Sequence, residues 1–382
     1  MSNILLVRPS FPPSRNVLFN IPIGLCKIAS YHKSKGDTVY YIEGNILQDN
    51  ISYKEINIVY VTTMFTYYAQ YAIDAINFYK VLCPNAEVIA GGIYASISPE
   101  HLKQNSNVDK VIVGVIPEAE ICLPDYSILP THDEEMNNTQ ILWASRGCRR
   151  NCDHCFVNVI EPELYFKSVD DLKKEMLHFR NRKNVLFYDN SLAQHPEFER
   201  LLNMLKIWHK NYKFIYNGVQ GLDGRMLKQW KEKGVDVFQL IRDCGFYDLR
   251  FSYDWAHQKE SVYYCITEFE KVGYKRKDLQ IYVIINTKES PEVIEKRYFE
   301  IYSLGCQIHS DLFKPSNLFI DKSDIISIEY GWTEQICKNL IRLQSSLNYA
   351  TRMGVLYASV EDILKSKDLN IGKSSQKLDK WC

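Results

Sequence analysis

The sequence has no net charge, no long apolar run near its start and no internal repeat, and each absence argues against a class of function. Its 46 lysine and arginine residues are balanced by 46 aspartate and glutamate residues, so no strong field would draw it to nucleic acid or to an anionic membrane. The first apolar run, at residues 4–7, follows no cationic stretch and is too short for a signal peptide or a membrane span. We therefore expect a cytoplasmic protein that binds neither nucleic acid nor a membrane.

The first 120 residues alternate short β-rich runs with segments whose apolar residues have helical spacing. This alternation predicts a doubly wound parallel sheet, in which the carboxyl ends of the strands form a ligand crevice. The stretch "GGIYAS" at residues 91–96 is not the glycine motif G-x-G-x-x-G, so a nicotinamide cofactor is not expected. The predicted strands are residues 4–9, 38–44, 56–64, 87–92 and 110–114, and the predicted helices are residues 24–36 and 69–84.

The alternation resumes after a proline-containing, acidic and amide-rich stretch that predicts a linker. Six strand–helix units then predict a (β/α)6 partial barrel, with its chemistry at the carboxyl ends of the strands. The expected strands are residues 141–145, 184–189, 213–220, 247–254, 279–286 and 306–313, and the expected helices are residues 168–181, 195–211, 223–234, 260–273 and 291–305.

The predicted fold class is therefore α/β, with an N-terminal doubly wound parallel sheet followed by the partial barrel and a helical C-terminal segment. We expect a Rossmann-like domain over residues 1–120, a linker over 121–140, the partial barrel over 141–318 and the helical segment over 319–382. Its last residues, 371–382, have the composition of a flexible tail.

Eleven cysteines are present, but only three form a cluster. In a reducing compartment they are not expected to pair, and we interpret the scattered ones as buried small side chains or isolated surface thiols. Cys148, Cys152 and Cys155 stand apart because all three lie in "WASRGCRRNCDHCF", residues 143–156. The scattered cysteines are Cys26, Cys83, Cys122, Cys244, Cys265, Cys306, Cys337 and Cys382.

The cluster admits four interpretations. A disulfide is disfavoured by the expected compartment and by the odd number of cysteines. A structural zinc site needs four ligands, and His154, the candidate for the fourth, lies between two others in a tight loop. A redox dithiol accounts for Cys152 and Cys155 but leaves Cys148 unexplained. A [4Fe–4S] cluster with three irons held by thiolates, and the fourth iron open to another ligand, accounts for all three cysteines.

The stretch "CRRNCDHC" follows the first strand of the predicted barrel and resembles the C-x-x-x-C-x-x-C motif of the radical S-adenosylmethionine (SAM) superfamily. The resemblance implies that the open iron chelates the amino and carboxylate groups of SAM. It also implies that an electron from the cluster cleaves SAM to a 5′-deoxyadenosyl radical, which abstracts a hydrogen from the substrate. Family members usually carry an aromatic residue before the third cysteine, against the adenine. His154 occupies that position here and is expected to stack or hydrogen-bond there.

The first domain extends the resemblance to the cobalamin-binding branch of the superfamily. "LVRPSFPPS", "TTMFTYYAQYAIDAI", "VIAGGIYASISPEHL", "GVIPEAE" and "LPDYSIL" follow one another in the order seen in those enzymes, so the resemblance covers roughly residues 1–315. Cobalamin is thereby implied as a second cofactor. The pattern D-x-H-x-x-G is absent, so no histidine is expected on the cobalt, and "GVIPEAE" departs from the family's GEGE-like turn. The residues expected near the corrin or its nucleotide tail are Thr62, Thr63, Gly91, Gly92 and Ser96.

In this superfamily the ends of the later barrel strands contact SAM, whose charged and hydroxyl groups need partners in a buried site. Asp189, Asn217 and Ser252 are the preferred candidates here, although Asp189 and Asn190 could equally cap the next helix. The expected SAM contacts are Asp189, Asn190, Asn217, Gln220, Arg250, Ser252, Asp254, Ile284, Asn286 and Lys314.

These resemblances imply an enzyme that carries out methylation, rearrangement or ring closure at an unactivated carbon, with cobalamin as the expected second cofactor. Tyr188 and Tyr253 are the candidate catalytic residues, because a tyrosine at the barrel mouth could shield a radical or return a hydrogen atom. One alternative is a radical SAM enzyme without cobalamin, whose first domain is a scaffold or substrate platform. Another is a non-catalytic iron–sulfur carrier or sensor, which would prefer a fully ligated cluster. The expected partners are a small-molecule or metabolite-like substrate and a flavodoxin- or ferredoxin-type electron donor.

Overall fold

The structure is a computed structural model that describes residues 1–12, 21–130, 133–152, 155–218, 221–319 and 327–355. Within these residues the chain divides into two compact units. His154, Gln220, Cys382 and the predicted tail lie outside the described residues. The first unit holds residues up to 141, residues 147–164 and residues 315–319, and the second holds residues 142–146, 165–314 and 327–355.

The first unit is built on a five-stranded parallel sheet, as the alternation predicted. The strand order is β2-β1-β3-β4-β5, and each strand runs parallel to its neighbours. The strand order reverses between β1 and β3, which is where open α/β sheets form their ligand crevice. The strands are β1 (Asn3–Arg8), β2 (Thr38–Glu43), β3 (Ile58–Thr63), β4 (Glu87–Gly92) and β5 (Lys110–Val111).

Helices cover both faces of this sheet because successive strand residues point to opposite sides. In β1, Leu5 and Val7 pack in a core with Ala72 and Ile76, whereas Ile4 and Leu6 pack with Leu25 and Ala29. The sheet is therefore doubly wound. The helices of this unit are α1 (Ile23–Ser34), α2 (Ala69–Leu82), α3 (Ile93–Ile97), α4 (Pro99–Asn105), α5 (Pro117–Glu120), α6 (Glu134–Asn137) and α7 (Val157–Ile160).

The predicted linker is partly packed into the first unit. Tyr126 and Leu129 are buried, and the Ile141 backbone N–H donates to the Tyr126 hydroxyl over 2.9 Å. Asp125 accepts the Lys33 ammonium at 2.6 Å. A separation between two domains at residues 121–140 stays a prediction.

Six strand segments after residue 138 appear where the sequence predicted them. β9, β10 and β11 run parallel with β6 beside β9, and β12, β13 and β14 form a second parallel group. The predicted fourth strand is split between the two groups at Asp248, whose φ of 51° is left-handed. The strands are β6 (Thr139–Leu142), β7 (Ser145–Arg146), β8 (Tyr165–Phe166), β9 (Asn184–Phe187), β10 (Ile215–Asn217), β11 (Phe246–Tyr247), β12 (Arg250–Ser252), β13 (Gln280–Ile285) and β14 (Gln307–Leu312).

The helices of the second unit pack their apolar faces on one side of these strands. Phe251, Ile281, Val283 and Ile308 lie in one core with helical side chains such as Phe269. The predicted α/β class is confirmed, with one helix, α11, that the sequence analysis missed. The helices are α8 (Val169–His178), α9 (Phe198–Tyr212), α10 (Gly224–Glu232), α11 (Val237–Cys244), α12 (Lys259–Lys271), α13 (Pro291–Ser303) and α14 (Glu334–Met353).

The helical C-terminal segment closes the edge of the second strand group. Asn348 of α14 accepts the backbone N–H of Ile308 and donates to its carbonyl oxygen, both over 2.7 Å. Its amide therefore replaces a neighbouring strand at β14, which protects an otherwise unpaired edge. None of the helices in the described part of the chain is long and apolar enough to cross a membrane.

Candidate functional site

The three clustered cysteines lie in a loop whose base is closed by Gly147. The loop leaves β7 and returns in β8, and these two strands pair antiparallel. The Gly147 N–H donates to the Glu161 carboxylate over 2.8 Å. Gly147 has a φ of +75°, and a Cβ there would lie 2.6 Å from the Glu163 carbonyl oxygen. Only glycine fits this position, so the sequence "RGC" has a local structural reason.

Inside the loop, backbone amides are directed at the cysteines. The Arg150 N–H donates to Cys148 Sγ over 3.4 Å, and the Cys155 N–H donates to the Cys152 carbonyl oxygen over 3.0 Å. Cys148 and Cys152 are half-buried and Cys155 is exposed. Although Cys155 is exposed, nearby protein atoms raise the pKa of its thiol by desolvation, and Cys148 raises it further. Cys148 and Cys155 therefore lie close enough to interact electrostatically.

The three loop cysteines are better suited to bind an iron–sulfur cluster than the other cysteines in the described residues. Three thiols with solvent access fit iron, a metal that soft thiolates hold well. Cys83 and Cys337 are buried instead, and burial raises their pKa to about 11; neither lies in a short segment with two other cysteines. Among the described residues, no three His, Cys, Asp or Glu side chains are arranged to hold a metal ion. The three thiols are therefore of the right type to bind an iron–sulfur cluster. Because they are not yet arranged around a common point, the loop must rearrange locally to bind one.

Asp189 fixes the strand that leads into the loop. It is buried, and its two oxygens accept the backbone N–H groups of Ala144 and Ser145 over 3.0 and 2.5 Å. The Ser145 hydroxyl donates to the same carboxylate over 2.6 Å and accepts from the Gln194 side chain over 3.2 Å. Asp189 therefore does not cap the next helix, and both of its oxygens accept hydrogen bonds within the fold. It is a positioning residue for the chain three residues before Cys148.

Burial also makes Asp189 a source of pH-dependent stability. Burial raises the pKa of the Asp189 carboxyl to about 6 from an ordinary 3.8. The hydrogen bonds from Ser145 and Ala144 and the charge of Arg146 oppose the shift. Because the pKa of Asp189 is higher in the folded than in the unfolded protein, its protonation contributes to the free energy of unfolding. This contribution is fully present below pH 3.8 and is lost as the pH rises through 6. A shift of this size corresponds to a loss on the order of 3 kcal/mol.

We therefore expect Asp189→Asn to remove this part of the pH dependence, since asparagine does not titrate. Urea unfolding at pH 4 to 7 would measure it, and the free energy of unfolding should fall less with rising pH in the variant than in the wild type. Asp125→Asn is the control with the opposite sign, because Lys33 and Ser127 hold the pKa of Asp125 low despite its desolvation. A variant at position 189 with the wild-type pH profile would show that Asp189 does not titrate as described.

Some of the predicted SAM contacts share one face of the second unit's strands. Strand residues alternate between faces, and in β12 to β14 one set packs on the helices. We call the opposite set the inner face. Asn217 of β10 has the corresponding orientation in its own strand, because its neighbour Tyr216 is in the core. The inner face consists of Arg250, Ser252, Gln280, Tyr282, Ile284, Gln307, His309 and Asp311.

Other predicted contacts are used within the fold. Asn286 is buried with a φ of 64°, donates to the Phe313 carbonyl oxygen over 3.1 Å and accepts the Ser327 N–H over 2.6 Å. Its side chain connects β13 to the segment after β14, and its assignment to SAM stays a prediction. Asp254 is buried as well and accepts the Ile284 N–H over 3.0 Å.

The candidate catalytic tyrosines are placed differently from the inner face. Tyr253 is buried on the helix side, where its hydroxyl donates to Glu300 over 2.9 Å, and Arg297 lies 4.9 Å from its ring. The expectation that Tyr253 lies at a barrel mouth is therefore wrong. Tyr188 is half-buried, with its ring edge-to-face on Trp143 at 5.5 Å. Asn190 is exposed and Lys314 is half-buried; a role for them, and for Tyr188, stays a prediction.

The residues predicted to meet cobalamin have partners inside the first unit. The Thr63 hydroxyl donates to the Gly91 carbonyl oxygen over 3.1 Å and accepts the Ala95 N–H over 3.0 Å. The Ser96 hydroxyl donates to the Gly92 carbonyl oxygen over 2.8 Å. A Cβ at Gly92 would lie 2.2 Å from the Thr63 carbonyl oxygen, so close strand packing explains this glycine. These three residues do not fit as direct ligands of a corrin.

Thr62 is half-buried at the end of β3, and a Cβ at Gly91 would be in ordinary contact with Ile112, at 3.8 Å. Their role toward cobalamin stays a prediction. Tyr282 and His309 of the inner face were missed from the sequence. Each is next in sequence to residues that face the helices, in strands whose residues alternate between faces, and this alternation is the signal that could have identified them.

Comparison with known proteins gives a match for the part of the chain that contains the cysteine motif. Residues 144–296 match the radical SAM superfamily, the family that the motif resembles. No curated protein matches the chain. A solved structure of the cobalamin-dependent S-adenosylmethionine radical enzyme OxsB with aqua-cobalamin bound matches with 14% identity and a TM-score of 0.43, over 96% of this chain and 56% of OxsB. The chain thus spans little more than half the length of OxsB.

Proposed function

We propose that this chain, in which residues 144–296 match the radical SAM superfamily, is an enzyme that uses a [4Fe–4S] cluster and SAM to start chemistry at an unactivated carbon. The observation that carries the proposal is the cysteine loop. Of the ten cysteines in the described residues, only Cys148, Cys152 and Cys155 share one short segment, and all three keep solvent access. Three thiolates leave one iron of such a cluster for a ligand from outside the protein.

The chain's own residues hold and position these groups. Cys148, Cys152 and Cys155 would ligate the iron, and when bound the cluster supplies the electron for reductive cleavage of SAM. The Arg150 N–H donates to Cys148 Sγ, and hydrogen bonds to the sulfur atoms of a cluster tune its reduction potential. Asp189 holds Ala144 and Ser145, so the strand before the loop has a fixed orientation. Arg250 and Ser252 of the inner face supply donors for polar ligand groups.

The reaction class we propose is hydrogen abstraction from a small-molecule substrate, with a flavodoxin- or ferredoxin-type protein as the electron donor. The formal charge of zero supports a small molecule over nucleic acid. Methylation, rearrangement and ring closure all start in this way, and the products separate them.

Cobalamin is a further part of the proposal, and it concerns the first unit alone. The support is the strand order β2-β1-β3-β4-β5, which leaves a ligand crevice where the order reverses. Because the hydroxyls of Thr63 and Ser96 are engaged in the fold, Thr62 and Gly91 are the remaining candidates for contacts to a corrin. If no corrin binds, the sheet is a scaffold or a substrate platform.

Release of SAM products by the reduced protein tests the proposal. After anaerobic reconstitution with iron and sulfide, the protein is incubated with SAM, dithionite and, in a second arm, hydroxocobalamin. We expect 5′-deoxyadenosine in both arms, and S-adenosylhomocysteine as well if the enzyme methylates. Failure to form either product would contradict the proposal. Absence of protein-bound cobalamin after gel filtration would remove the cobalamin part and leave the rest intact.

A further inference from the structure

The guanidinium of Arg250 has an incomplete set of partners. Its Nη1 donates to the Tyr282 hydroxyl over 2.9 Å, and its Cζ lies 5.5 Å from the centroid of the Tyr282 ring. Its Nε is buried without a hydrogen-bond partner. Within the described residues, no carboxylate lies within ion-pair distance of Arg250. A half-buried cation with only a neutral acceptor is unusual, because a charge withdrawn from water needs a counter-charge or several hydrogen bonds.

The neighbours of Arg250 are groups that recognise a polar ligand. The strand register places Ser252 beside Tyr282 and Tyr282 beside His309, across β12, β13 and β14. The rings of Tyr282 and His309 meet edge to face, with centroids 4.6 Å apart. Desolvation lowers the pKa of His309, so its imidazole is mainly neutral at pH 7. One fixed cation, two hydroxyls and a neutral imidazole therefore share one face.

Two carboxylates nearby limit which anions this face can take. Burial raises the pKa of Tyr282, and Asp311 and Asp248 raise it further, whereas Arg250 lowers it. His309 Nε2 lies 3.9 Å from Asp311 Oδ1. With one cation and two carboxylates, repulsion disfavours a doubly charged phosphate more than a singly charged carboxylate.

We propose that the inner face binds a carboxylate group of the enzyme's substrate, with Arg250 as the main partner and the hydroxyls of Tyr282 and Ser252 beside it. The inference rests on the proposed function and narrows its substrate to a molecule with one carboxylate. Arg250 is the first residue of β12, so it lies on the amino-terminal side of the inner face. The carboxylate would be anchored there, and the rest of the substrate would extend toward the carboxyl ends of the strands, where such sheets place their chemistry.

Ligand-observed NMR on the reconstituted full chain tests the inference with three probes, namely benzoate, its neutral analogue benzamide, and inorganic phosphate. We expect the wild type to bind benzoate more tightly than the other two. Arg250→Met should weaken benzoate binding by about tenfold or more, since a hydrogen bond to a charged group contributes about 1.5–3 kcal/mol. Arg200→Met is the matched control, because Arg200 is an exposed cation paired with Asp170 and Glu197, and it should bind benzoate as the wild type does.

Tyr282→Phe keeps the ring and removes the hydroxyl that Arg250 contacts, so it tests the same face if Arg250→Met fails to fold. We expect it to weaken benzoate binding by a few-fold. Benzoate binding that is unchanged in both variants would overturn the inference, as would tighter binding of phosphate than of benzoate. Loss of SAM binding in Arg250→Met would assign Arg250 to SAM instead.

Iron content and 5′-deoxyadenosine release are measured on the same samples, which separates this inference from the proposed function. We expect the iron content to be retained in Arg250→Met, because Arg250 is not one of the cysteines that would hold the iron. If the wild type holds iron and cleaves SAM but benzoate binding does not depend on Arg250, only the carboxylate site is wrong. If the wild type neither holds iron nor cleaves SAM, the proposed function fails whatever benzoate does.

Discussion

Alanine at Cys148, Cys152 or Cys155 should abolish both the iron–sulfur chromophore and the cleavage of SAM. The wild type should hold about four irons per chain after anaerobic reconstitution, because the cluster that three thiolates hold with one open iron is [4Fe–4S]. Loss of any one thiolate would leave too few protein ligands. Iron and sulfide analysis, the visible absorbance and 5′-deoxyadenosine release measure the effect.

Cys122→Ala is the control for this series. Cys122 is the other described cysteine that is not fully buried, and its Sγ donates to the Glu118 carbonyl oxygen over 3.3 Å. We expect it to keep the iron content and activity of the wild type. Stoichiometric zinc without iron in the wild type would contradict the assignment, and so would a loop variant that still cleaves SAM.

Gly147→Ala should prevent most of the cluster from forming although it removes no ligand. An alanine Cβ would lie 2.6 Å from the Glu163 carbonyl oxygen and 3.1 Å from that of Glu161, and backbone cannot yield as a flexible side chain can. The left-handed φ adds about 1–2 kcal/mol of strain for a residue with a Cβ. We expect the base of the loop to open, the hydrogen bond from the Gly147 N–H to Glu161 to be lost, and the iron content to fall to a small fraction of the wild type.

Gly234→Ala is the control that separates the effect of backbone strain from that of the steric clash at Gly147. Gly234 also has a positive φ, of +88°, but a Cβ there would meet nothing within 4 Å. This control should lower the thermal midpoint slightly and leave the iron content unchanged. If Gly147→Ala were to load iron as fully as Gly234→Ala, the closed base of the loop would not be needed for the cluster.

Much of the fold could be predicted because it depends on local patterns. The strands β1, β3, β4 and β13 are rich in β-branched and apolar residues, and such runs alternating with helices predict a parallel arrangement. The motif of Cys148, Cys152 and Cys155 could be recognised for the same reason, because it lies within one short stretch of sequence. Helix α11 was missed because only eight residues form it, over Val237–Cys244, which is too short for a strong helical pattern.

The contacts of the polar residues could not be predicted, because they join segments far apart in the chain. Asp189 accepts hydrogen bonds from residues 44 and 45 positions earlier, and Asn286 accepts one from Ser327, 41 positions later. From sequence alone, both have the profile of a polar residue after a strand, which favours a ligand contact. A strand break at a non-glycine residue with positive φ, as at Asp248, is also uncommon and leaves no clear mark in the sequence.

The most direct test of the central claim is the electron paramagnetic resonance spectrum of the reduced, reconstituted protein before and after SAM is added. If Cys148, Cys152 and Cys155 hold a [4Fe–4S] cluster with one iron open to SAM, the reduced protein should show a cluster signal whose g values shift on addition of SAM. A cluster signal that SAM leaves unchanged, or no cluster signal at all, would contradict the account.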